Sequence, residues 1–431
     1  MKRVLIISPH FPPVNAADMH RVRHMLSYLK DLKWTAEVIA VDPKFLDSYN
    51  SETLLLKSVP SYISIHFVRA WKKKCTSKFG LGSISMRSFL FFLLKGNQLI
   101  KEKKYDLIFF STTAFHVMAL GPYWKKRFGI PFVLDIQDPW RSDHYLKKPS
   151  NQRPPKFWIS YYLDSFLEKL TIPKTNGIIS VSNSYIDTFK LRYPQFKGVS
   201  MVIPFSIDQL DFQIAFENSI KPDISFDPNK INIAYIGRGG HDLTFSVNLF
   251  FSALKLLKNR KPEIFSKITC HFLGTSYASA GKGIETIKPV ALQFGLEEKV
   301  IEMTDRLPYF STLRLIKSAQ LLFIPGSIEE GYTASKIYPY ILAEKPIVAI
   351  FHEKSSVIKI LKDCTNSSVI SFGSNNLSLS NLIEQVFEGL LIQINKINTP
   401  QTFNEIAFEP YMAKSMTKDV ISVFEKVCNS N

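Results

Sequence analysis

Short apolar runs alternate with segments of helical periodicity along the first half of the chain. Continuous apolar runs of this length suit parallel strands that are covered on both faces. In the segment 18–32 apolar residues recur at helical spacing, and Asp18 stands where a helix N-cap is expected. This alternation predicts a doubly wound parallel sheet. The strands predicted by the runs are residues 4–7, 107–110, 132–136 and 178–181.

The same alternation starts again after residues 206–230, a polar and acidic segment that we interpret as an interdomain connection. A buried strand at 231–236 is followed by the glycine-rich turn Gly237-Arg238-Gly239-Gly240 and a helix at 243–257. A chain of 431 residues is long enough for two domains of ordinary size. We therefore predict an α/β fold of two Rossmann-like, doubly wound domains with a cleft between them, in which ligands bind outside the carboxyl ends of the strands. Further strands are predicted at 268–273, 300–303, 321–324, 347–351 and 369–372.

The positive charge of the protein is concentrated in its first half. The net charge is +17, and residues 1–210 contribute 31 Lys and Arg against 15 Asp and Glu. This asymmetry favours an anionic partner for the first domain, such as a membrane leaflet or a lipid phosphate; the alternative is a basic protein with no such partner. Nucleic acid is not expected, because neither a helix-turn-helix nor a stacking platform is visible.

Two features of the chain bear on its location. The four cysteines are far apart and form no CxxC pair, which suits a reducing compartment. The N-terminal apolar run is too short for a signal peptide, and no run approaches the roughly 18–20 residues that span a bilayer. We expect a cytoplasmic protein that is peripheral on the inner face of the cell membrane. Its contact would lie in residues 71–104, where lysines stand beside the apolar run 89–94; a core helix with charged flanks is the alternative.

The segment 322–346 (LFIPGSIEEGYTASKIYPYILAEKP) has the strongest chemical pattern. A strand ends at Pro325-Gly326, and Ser335-Lys336 is predicted to open a helix after a polar loop. Free backbone N–H groups at a helix N-terminus favour a diphosphate, and Lys336 would add a positive charge. The hydroxyls of Thr333 and Ser335 could donate hydrogen bonds. An ordinary capped helix with a surface lysine is the alternative.

This segment resembles the donor-binding stretch of family-4-like GT-B glycosyltransferases, which often reads S-K-[ILV]-Y-E-Y-L-A-x-x-K-P. Here residues 335–346 read SKIYPYILAEKP. The likeness extends to SPHFPP at 8–13, DIQDPW at 135–140, YIGR at 235–238 and the stretch 307–325. It implies an N-terminal acceptor domain (1–205), a nucleotide-sugar donor domain (206–405) and a C-terminal helix (406–431) that crosses back to the first domain.

The resemblance also implies roles for particular residues. Gly237, Arg238, Tyr332, Thr333, Ser335 and Lys336 would bind the donor, with Glu330 near its sugar. Independently, a guanidinium in a glycine-rich turn, such as Arg238, suits bidentate binding of phosphate. In the first half, His116 resembles the histidine that faces the donor sugar. Asp135 and Asp138, at a strand end, could orient the acceptor hydroxyl or accept its proton, or be a cap and a turn residue.

The chain departs from the family pattern at three places. The family commonly has two glutamates with seven residues between them, and the second, expected to hold the donor ribose, is replaced by Pro339. Glu330 resembles the first but lies one residue further from Pro339 than the pattern requires. The glycine pair of the first loop is replaced by Ala16-Ala17. Either the donor is held differently, or ordinary activity has been lost.

No cluster of His, Asp or Glu has metal-ligand spacing, so no catalytic metal and no cofactor are expected. The favoured function is a retaining, metal-independent transfer of a sugar from a UDP- or GDP-sugar to a lipid-linked or glycan acceptor. The alternatives are a nucleotide-sugar epimerase, a non-catalytic GT-B-like subunit of a polysaccharide assembly complex and, least favoured, a DNA-modifying transferase.

Overall fold

The computed structural model describes residues 1–46, 51–77, 82–141, 143, 146, 149–153, 157–217, 220, 222, 224–330, 334–373 and 378–430. Within them the chain forms two compact units. Unit 1 comprises Met1–Asp208 with Tyr411–Asn431, and unit 2 comprises Gln209–Pro410.

Each unit is built on one parallel sheet. The strands are β1 Lys2–Ile7, β2 Trp34–Val41, β3 Ser64–Val68, β4 Leu107–Ser111, β5 Phe132–Ile136, β6 Gly177–Ser180, β7 Val199–Val202, β8 Ile231–Ile236, β9 Ile268–Leu273, β10 Val300–Met303, β11 Leu321–Pro325, β12 Ile347–His352 and β13 Ser368–Phe372. Their order is β3-β2-β1-β4-β5-β6-β7 in unit 1 and β10-β9-β8-β11-β12-β13 in unit 2. The predicted α/β class with two Rossmann-like, doubly wound domains is confirmed.

Helices flank the strands in both units. They are α1 His20–Leu26, α2 Lys73–Thr76, α3 Ile84–Glu102, α4 Leu120–Phe128, α5 Phe157–Thr171, α6 Asn183–Arg192, α7 Gln209–Glu217, α8 Thr244–Arg260, α9 Pro262–Ser266, α10 Lys288–Gln293, α11 Tyr309–Ser318, α12 Ile337–Leu342, α13 Ser356–Cys364, α14 Leu379–Asn395, α15 Glu405–Phe408 and α16 Ala413–Asn429.

The strand order fixes where each sheet reverses its direction of winding. In unit 1 the reversal falls between β1 and β4, and in unit 2 between β8 and β11. At such a point the loops after the two central strands diverge to opposite faces and leave a crevice at the carboxyl edge, which is the usual ligand site of open α/β sheets. Polar residues after β1, β4, β8 and β11 are therefore the candidates for ligand binding.

The segment 206–230 is more than a connection. Its residues Gln209–Glu217 form α7, which packs against α11 in unit 2. Ile214 and Ala215 are buried, Tyr309 donates a hydrogen bond to Asp211 (2.7 Å), and Arg314 donates one to the carbonyl of Ala215 (3.0 Å). Because the segment is polar overall, its sequence did not predict this amphipathic helix, which buries only a short apolar face.

The C-terminal helix α16 belongs to unit 1, where it packs against α1, β6 and β7. Its apolar face, with Val420 and Phe424 fully buried, enters the same core cluster as β1 and β2. Glu425 accepts hydrogen bonds from the indole of Trp34 and from Lys2 at the start of the chain. Burial of this face and the two polar contacts join the ends of the sequence in one unit.

Candidate active site

In unit 2, Gly237 and Arg238 follow β8 directly at the reversal point. The N–H of Gly237 continues the sheet by donating to the carbonyl of Leu273 (2.8 Å). A Cβ at position 237 would lie 2.5 Å from Nζ of Lys336 and 2.6 Å from the Tyr235 hydroxyl, so any larger residue there would displace the amine or the hydroxyl from this position. The structure therefore brings Gly237 and Lys336 together, as the sequence suggested.

Lys336 is the unusual cation of this site. Its amine lies 5.8 Å from the centroid of the Tyr235 ring, and among the described residues no carboxylate lies within ion-pair distance of it. Desolvation, followed by the positive charges of Arg306 and Arg238, lowers the pKa of Lys336 to about 7. An anion that binds beside such an amine stabilises it strongly, because the anion favours the protonated amine and offsets the positive charges of the neighbouring arginines.

Arg238 is held in a different way from the free clamp that was predicted. Its Nη1 and Nη2 donate to the two carboxylate oxygens of Asp242 at 2.8 and 2.6 Å. Gly240, with φ +142°, allows this close turn, since Asp242 Oδ1 would lie 2.7 Å from a Cβ there. The guanidinium keeps other N–H donors, but its bidentate edge is occupied and its charge is balanced.

Arg306 was not singled out by the sequence. It follows β10, is exposed, and its guanidinium lies 5.1 Å from the centroid of the Tyr277 ring. Its charge is the second cause, after desolvation, of the lowered pKa of Lys336. Its position after the end of β10 is the signal in the sequence that points to Arg306, because ligands bind outside the carboxyl ends of the strands.

The predicted helix N-terminus is short. The helix α12 begins at Ile337 and has six residues, and neither Lys336 nor Ser335 caps it with a side-chain hydrogen bond. A dipole of this length contributes little, so the positive potential of the site comes mainly from side chains. Pro339 fits in the first turn, where the missing N–H has no intrahelical partner in any case. Ser335 is exposed.

The remaining donor-side candidates are not gathered with Lys336 by any contact in the described residues. Glu330 is exposed, and its carboxylate accepts a hydrogen bond from Nζ of Lys354 (2.9 Å), which lowers its pKa. Tyr332 and Thr333 lie outside the described residues. Thr286, which the sequence did not suggest, has a hydroxyl without a hydrogen-bond partner in the described chain, placed 2.4 Å from a Cβ built on Gly239.

In unit 1, the reversal point holds a histidine–carboxylate pair that the sequence analysis missed. Nδ1 of His10, after β1, lies 3.0 Å from both carboxylate oxygens of Asp18. Thr112 Oγ1 and the N–H of Thr113, after β4, donate to the same buried carboxylate at 2.9 and 3.0 Å. Asp18 is therefore not the N-cap of the first helix; α1 begins at His20 without a side-chain cap, and Asp18 joins two strand ends.

These contacts set the charges of the pair. Desolvation would raise the pKa of Asp18, but His10 and the donors from the Thr112–Thr113 turn outweigh it and lower the pKa to about 2. Desolvation likewise opposes charge on His10, and the attraction of Asp18 outweighs it and raises the pKa of that ring. A histidine held at Nδ1 by a carboxylate presents Nε2 for proton transfer near neutral pH.

The three candidates of the first half fall into different environments. Asp135 is fully buried, paired with Nε of Arg21 (2.9 Å), and accepts hydrogen bonds from Ser111 (2.7 Å) and Gln137 (2.8 Å). Asp138 is exposed, and within the described residues it has no hydrogen-bond partner. Desolvation, and then the charge of Asp18, raises the pKa of Asp138. The charge of Asp18 thus acts on Asp138. Asp135 instead has a structural role, because its buried carboxylate binds Arg21, Ser111 and Gln137.

His116 is engaged at both ring nitrogens. Nδ1 lies 2.6 Å from the hydroxyl of Ser85 on α3, and Nε2 lies 3.1 Å from Asp164 on α5. In a neutral ring one nitrogen donates and the other accepts, so this arrangement uses the hydrogen-bonding capacity of the imidazole fully. The ring ties two helices together, and no nitrogen is left for a substrate in this arrangement.

Among the described residues, no group of three or more His, Cys, Asp or Glu is placed to hold a metal ion. No helix within the described residues is both long enough and apolar enough to cross a bilayer.

The whole chain resembles solved structures of nucleotide-sugar enzymes at low sequence identity. HepE of Anabaena, solved in complex with UDP and glucose, is 14% identical with a TM-score of 0.60, over 99% of this chain and 100% of that one. A UDP-forming trehalose-phosphate synthase of Burkholderia xenovorans is 11% identical with a TM-score of 0.59, over 99% of each chain. UDP-GlcNAc 2-epimerase of Methanocaldococcus jannaschii is 11% identical with a TM-score of 0.51, over 99% and 100%.

These likenesses establish the GT-B type of fold for the chain. No protein-family model matches the chain, and no curated protein matches its sequence. Since one fold accommodates both transferases and an epimerase, the activity must be argued from the site.

Proposed function

We propose that the protein is a glycosyltransferase that uses a nucleoside-diphosphate sugar. The observation that carries the proposal is the position of Lys336 in unit 2, close to Arg306 and Arg238 and without a carboxylate partner in the described chain. Bringing cations together costs free energy until an anion joins them. A diphosphate at the carboxyl edge of β8 and β11 would supply that anion.

The chemical role of these cations follows from where charge develops. When the bond between the sugar and the diphosphate breaks, negative charge accumulates on the leaving phosphate. Lys336 and Arg306 would stabilise it, and Arg238, held by Asp242, would add directed N–H donors. Thr286 and the exposed Ser335 supply hydroxyls at the same edge. No step in this scheme needs a metal ion, so metal independence is part of the proposal.

For the acceptor, we assign the carboxyl edge of the unit 1 sheet. His10, oriented by Asp18, and Asp138, with its raised pKa, are the groups able to orient a sugar hydroxyl and to accept its proton. This gives His10, together with Asp138, the acceptor-side role that the sequence suggested for Asp135 and Asp138. Retention of configuration, implied by the resemblance, stays within the proposal, as does a lipid-linked or glycan acceptor matching the basic first half of the chain.

The decisive first experiment is ligand-dependent stabilisation, since a ligand that binds only the native state raises the melting temperature. UDP, GDP, TDP and their sugars are compared with the free nucleosides, starting with UDP-glucose. We expect a diphosphate to be required for stabilisation. Equal stabilisation by nucleoside and nucleoside diphosphate would contradict the assignment of Lys336.

A product assay then separates the activities that the fold can host. The stabilising sugar nucleotide is incubated with lipid-linked and oligosaccharide acceptors, and both the sugar product and the released nucleotide are followed by mass spectrometry and NMR. Acceptor-dependent nucleotide release supports transfer. An epimerised sugar nucleotide without nucleotide release would indicate the epimerase. Binding without either product would indicate the non-catalytic subunit, which Pro339 and Ala16-Ala17 favour as departures from the family pattern.

A further inference from the structure

The apolar run 89–94, predicted as a lipid contact, is largely part of the unit 1 core. Phe92 on α3 is fully buried, and Phe89, Phe91 and Leu93 pack against the same cluster. Only Leu90 and Leu94 of this run are exposed. The run therefore offers little surface for insertion into a membrane.

A larger exposed apolar face lies on α5. Trp158 is 45% exposed, and Ile159, Tyr162 and Phe166 are between 62% and 65% exposed. Residues 158, 162 and 166 follow one another at a spacing of four, so they share one face of the helix with Ile159 beside them. The Trp158 and Tyr162 rings stack at 5.8 Å between centroids. Four large side chains in one stripe exceed the scattered exposure that is normal for a surface.

The inner face of α5 carries both acidic residues of the helix beside Leu167, which packs against the unit 1 core, whereas an ordinary surface helix places its charged residues outward. Asp164 pairs with His116 at 3.1 Å, and Glu168, fully buried, accepts hydrogen bonds from Tyr193 (2.8 Å) and Arg192 (3.2 Å). Asp164 and Glu168 are the acidic residues of this helix. Both are directed inward and paired, so no acidic residue of α5 lies on its outer face.

The surroundings of the outer face are basic. The guanidinium of Arg153 lies 5.2 Å from the Trp158 ring, and Lys169 is exposed near the end of the helix. The segment 147–156, which leads into α5, contains Lys147, Lys148, Arg153 and Lys156 in sequence and no acidic residue. Aromatic and aliphatic side chains next to basic residues match an anionic lipid surface in both chemistry and charge.

We propose that the outer face of α5, formed by Trp158, Ile159, Tyr162 and Phe166, docks on an anionic bilayer. The four side chains enter the interface, and Arg153 and Lys169 contact lipid headgroups. His116 acts as a positioning residue, since its contact with Asp164 holds the opposite face of α5 inward. This surface is independent of the assignment of the sugar donor and can be tested without one.

The test uses flotation of the full chain with vesicles of phosphatidylglycerol and phosphatidylcholine, or of phosphatidylcholine alone. We expect flotation with the anionic vesicles at low salt and loss of it near 1 M salt, where screening acts within about 3 Å. The double variant Ile159→Ser, Phe166→Ser should lower the partition coefficient by about tenfold or more, since two large apolar side chains no longer leave water. Ile406→Ser, at an 88% exposed residue of unit 2, is the matched control and should float as the wild type does.

Fluorescence separates α5 from the segment 71–104. Trp71 and Trp158 are almost equally exposed, at 44% and 45%, whereas Trp34, Trp124 and Trp140 are buried. We expect anionic vesicles to shift the emission to the blue and brominated lipid to quench it. Trp158→Phe should abolish both signals while flotation persists, and Trp71→Phe should leave them intact.

Three results would overturn the proposal. One is the absence of flotation with anionic vesicles at low salt. Another is a signal that depends on Trp71 and not on Trp158. A third is a lipid-free dimer, detected by sedimentation, that the double variant abolishes, because it would assign the face to a second copy of the chain.

Discussion

Replacing Lys336 by Met tests the proposed donor site most directly. Methionine keeps the length and apolar stem of the lysine but removes the amine. In the free protein the pKa of Lys336 is lowered to about 7, so at pH 8 about nine-tenths of the amines are neutral. A diphosphate bound beside the amine would raise its pKa and draw in a proton. Binding and protonation are therefore coupled in the wild type and uncoupled in Lys336→Met.

The size of the effect follows from this coupling. Between pH 7 and the pKa of the complex, the dissociation constant should rise by about tenfold per pH unit, because each unit costs about 1.4 kcal/mol to protonate the amine. A hydrogen bond to a charged group contributes about 1.5–3 kcal/mol, so near pH 7 the variant should bind about 10–150-fold more weakly. The lower end is expected because the amine is partly accessible to water.

The assay is isothermal titration calorimetry with the stabilising nucleoside diphosphate in buffers of different ionisation enthalpy. The wild type should take up about 0.5 proton per bound ligand at pH 7 and about 0.9 at pH 8. Phosphate itself has a second pKa of about 6 and interferes little above pH 7. The corresponding nucleoside should show no uptake. Lys317→Met is the control, because Lys317 already pairs with Glu344 at 2.9 Å.

Two outcomes would refute the reasoning. A wild-type affinity that does not change between pH 7 and 9 would mean that the amine is not protonated on binding. Proton uptake that persists in Lys336→Met would assign it to another group.

Three further variants and one metal-removal experiment have expected outcomes. Arg306→Ala should weaken diphosphate binding about tenfold and raise the pKa of Lys336, visible as smaller proton uptake; unchanged binding would exclude Arg306 from the site. Asp18→Asn should cost about 2 kcal/mol in urea unfolding at pH 7. Because the folded pKa of Asp18, about 2, lies below its unfolded value, this difference should vanish as pH falls from about 4 to 2; a pH-independent cost would contradict the ion pair. The same variant should lower the pKa of His10 in NMR titrations. His116→Phe should lower the free energy of unfolding by about 1–3 kcal/mol and leave donor affinity unchanged. A loss of turnover without a loss of stability would instead indicate a catalytic role for His116. EDTA should leave transfer activity unchanged, and activity lost to EDTA and restored by Mn²⁺ would refute metal independence.

The fold could be predicted from the sequence because burial on both faces of a parallel strand leaves a continuous apolar run. The strands β1, β4 and β5 are runs of this kind and lie where they were predicted. The strands β2, β3 and β7 were not predicted. The apolar residues of β2 are interrupted by Glu37, which is tolerated because Lys103 and His66 pair with it at 2.8 Å, and β3 and β7 are edge strands with partly exposed residues.

The candidate site was only partly predictable. The motif around Ser335-Lys336 located the lysine, since a local pattern of strand, loop and helix places it after a strand end. The partners of Asp18 and His116 were not predictable from local sequence. Asp18 looked like a helix cap, but its carboxylate is bound by residues 112 and 113, almost a hundred positions away.

Sequence alone determined the class of the fold, the basic first half and the lysine of the second unit, because apolar periodicity and composition are local properties of the chain. Tertiary structure decided which charges are paired and which faces are covered. It occupied both nitrogens of His116 and turned the acidic residues of α5 inward, while Trp158, Tyr162 and Phe166 of that helix face outward. Ion pairs and burial depend on distances between residues remote in sequence, and those distances exist only once the sheet has ordered its strands.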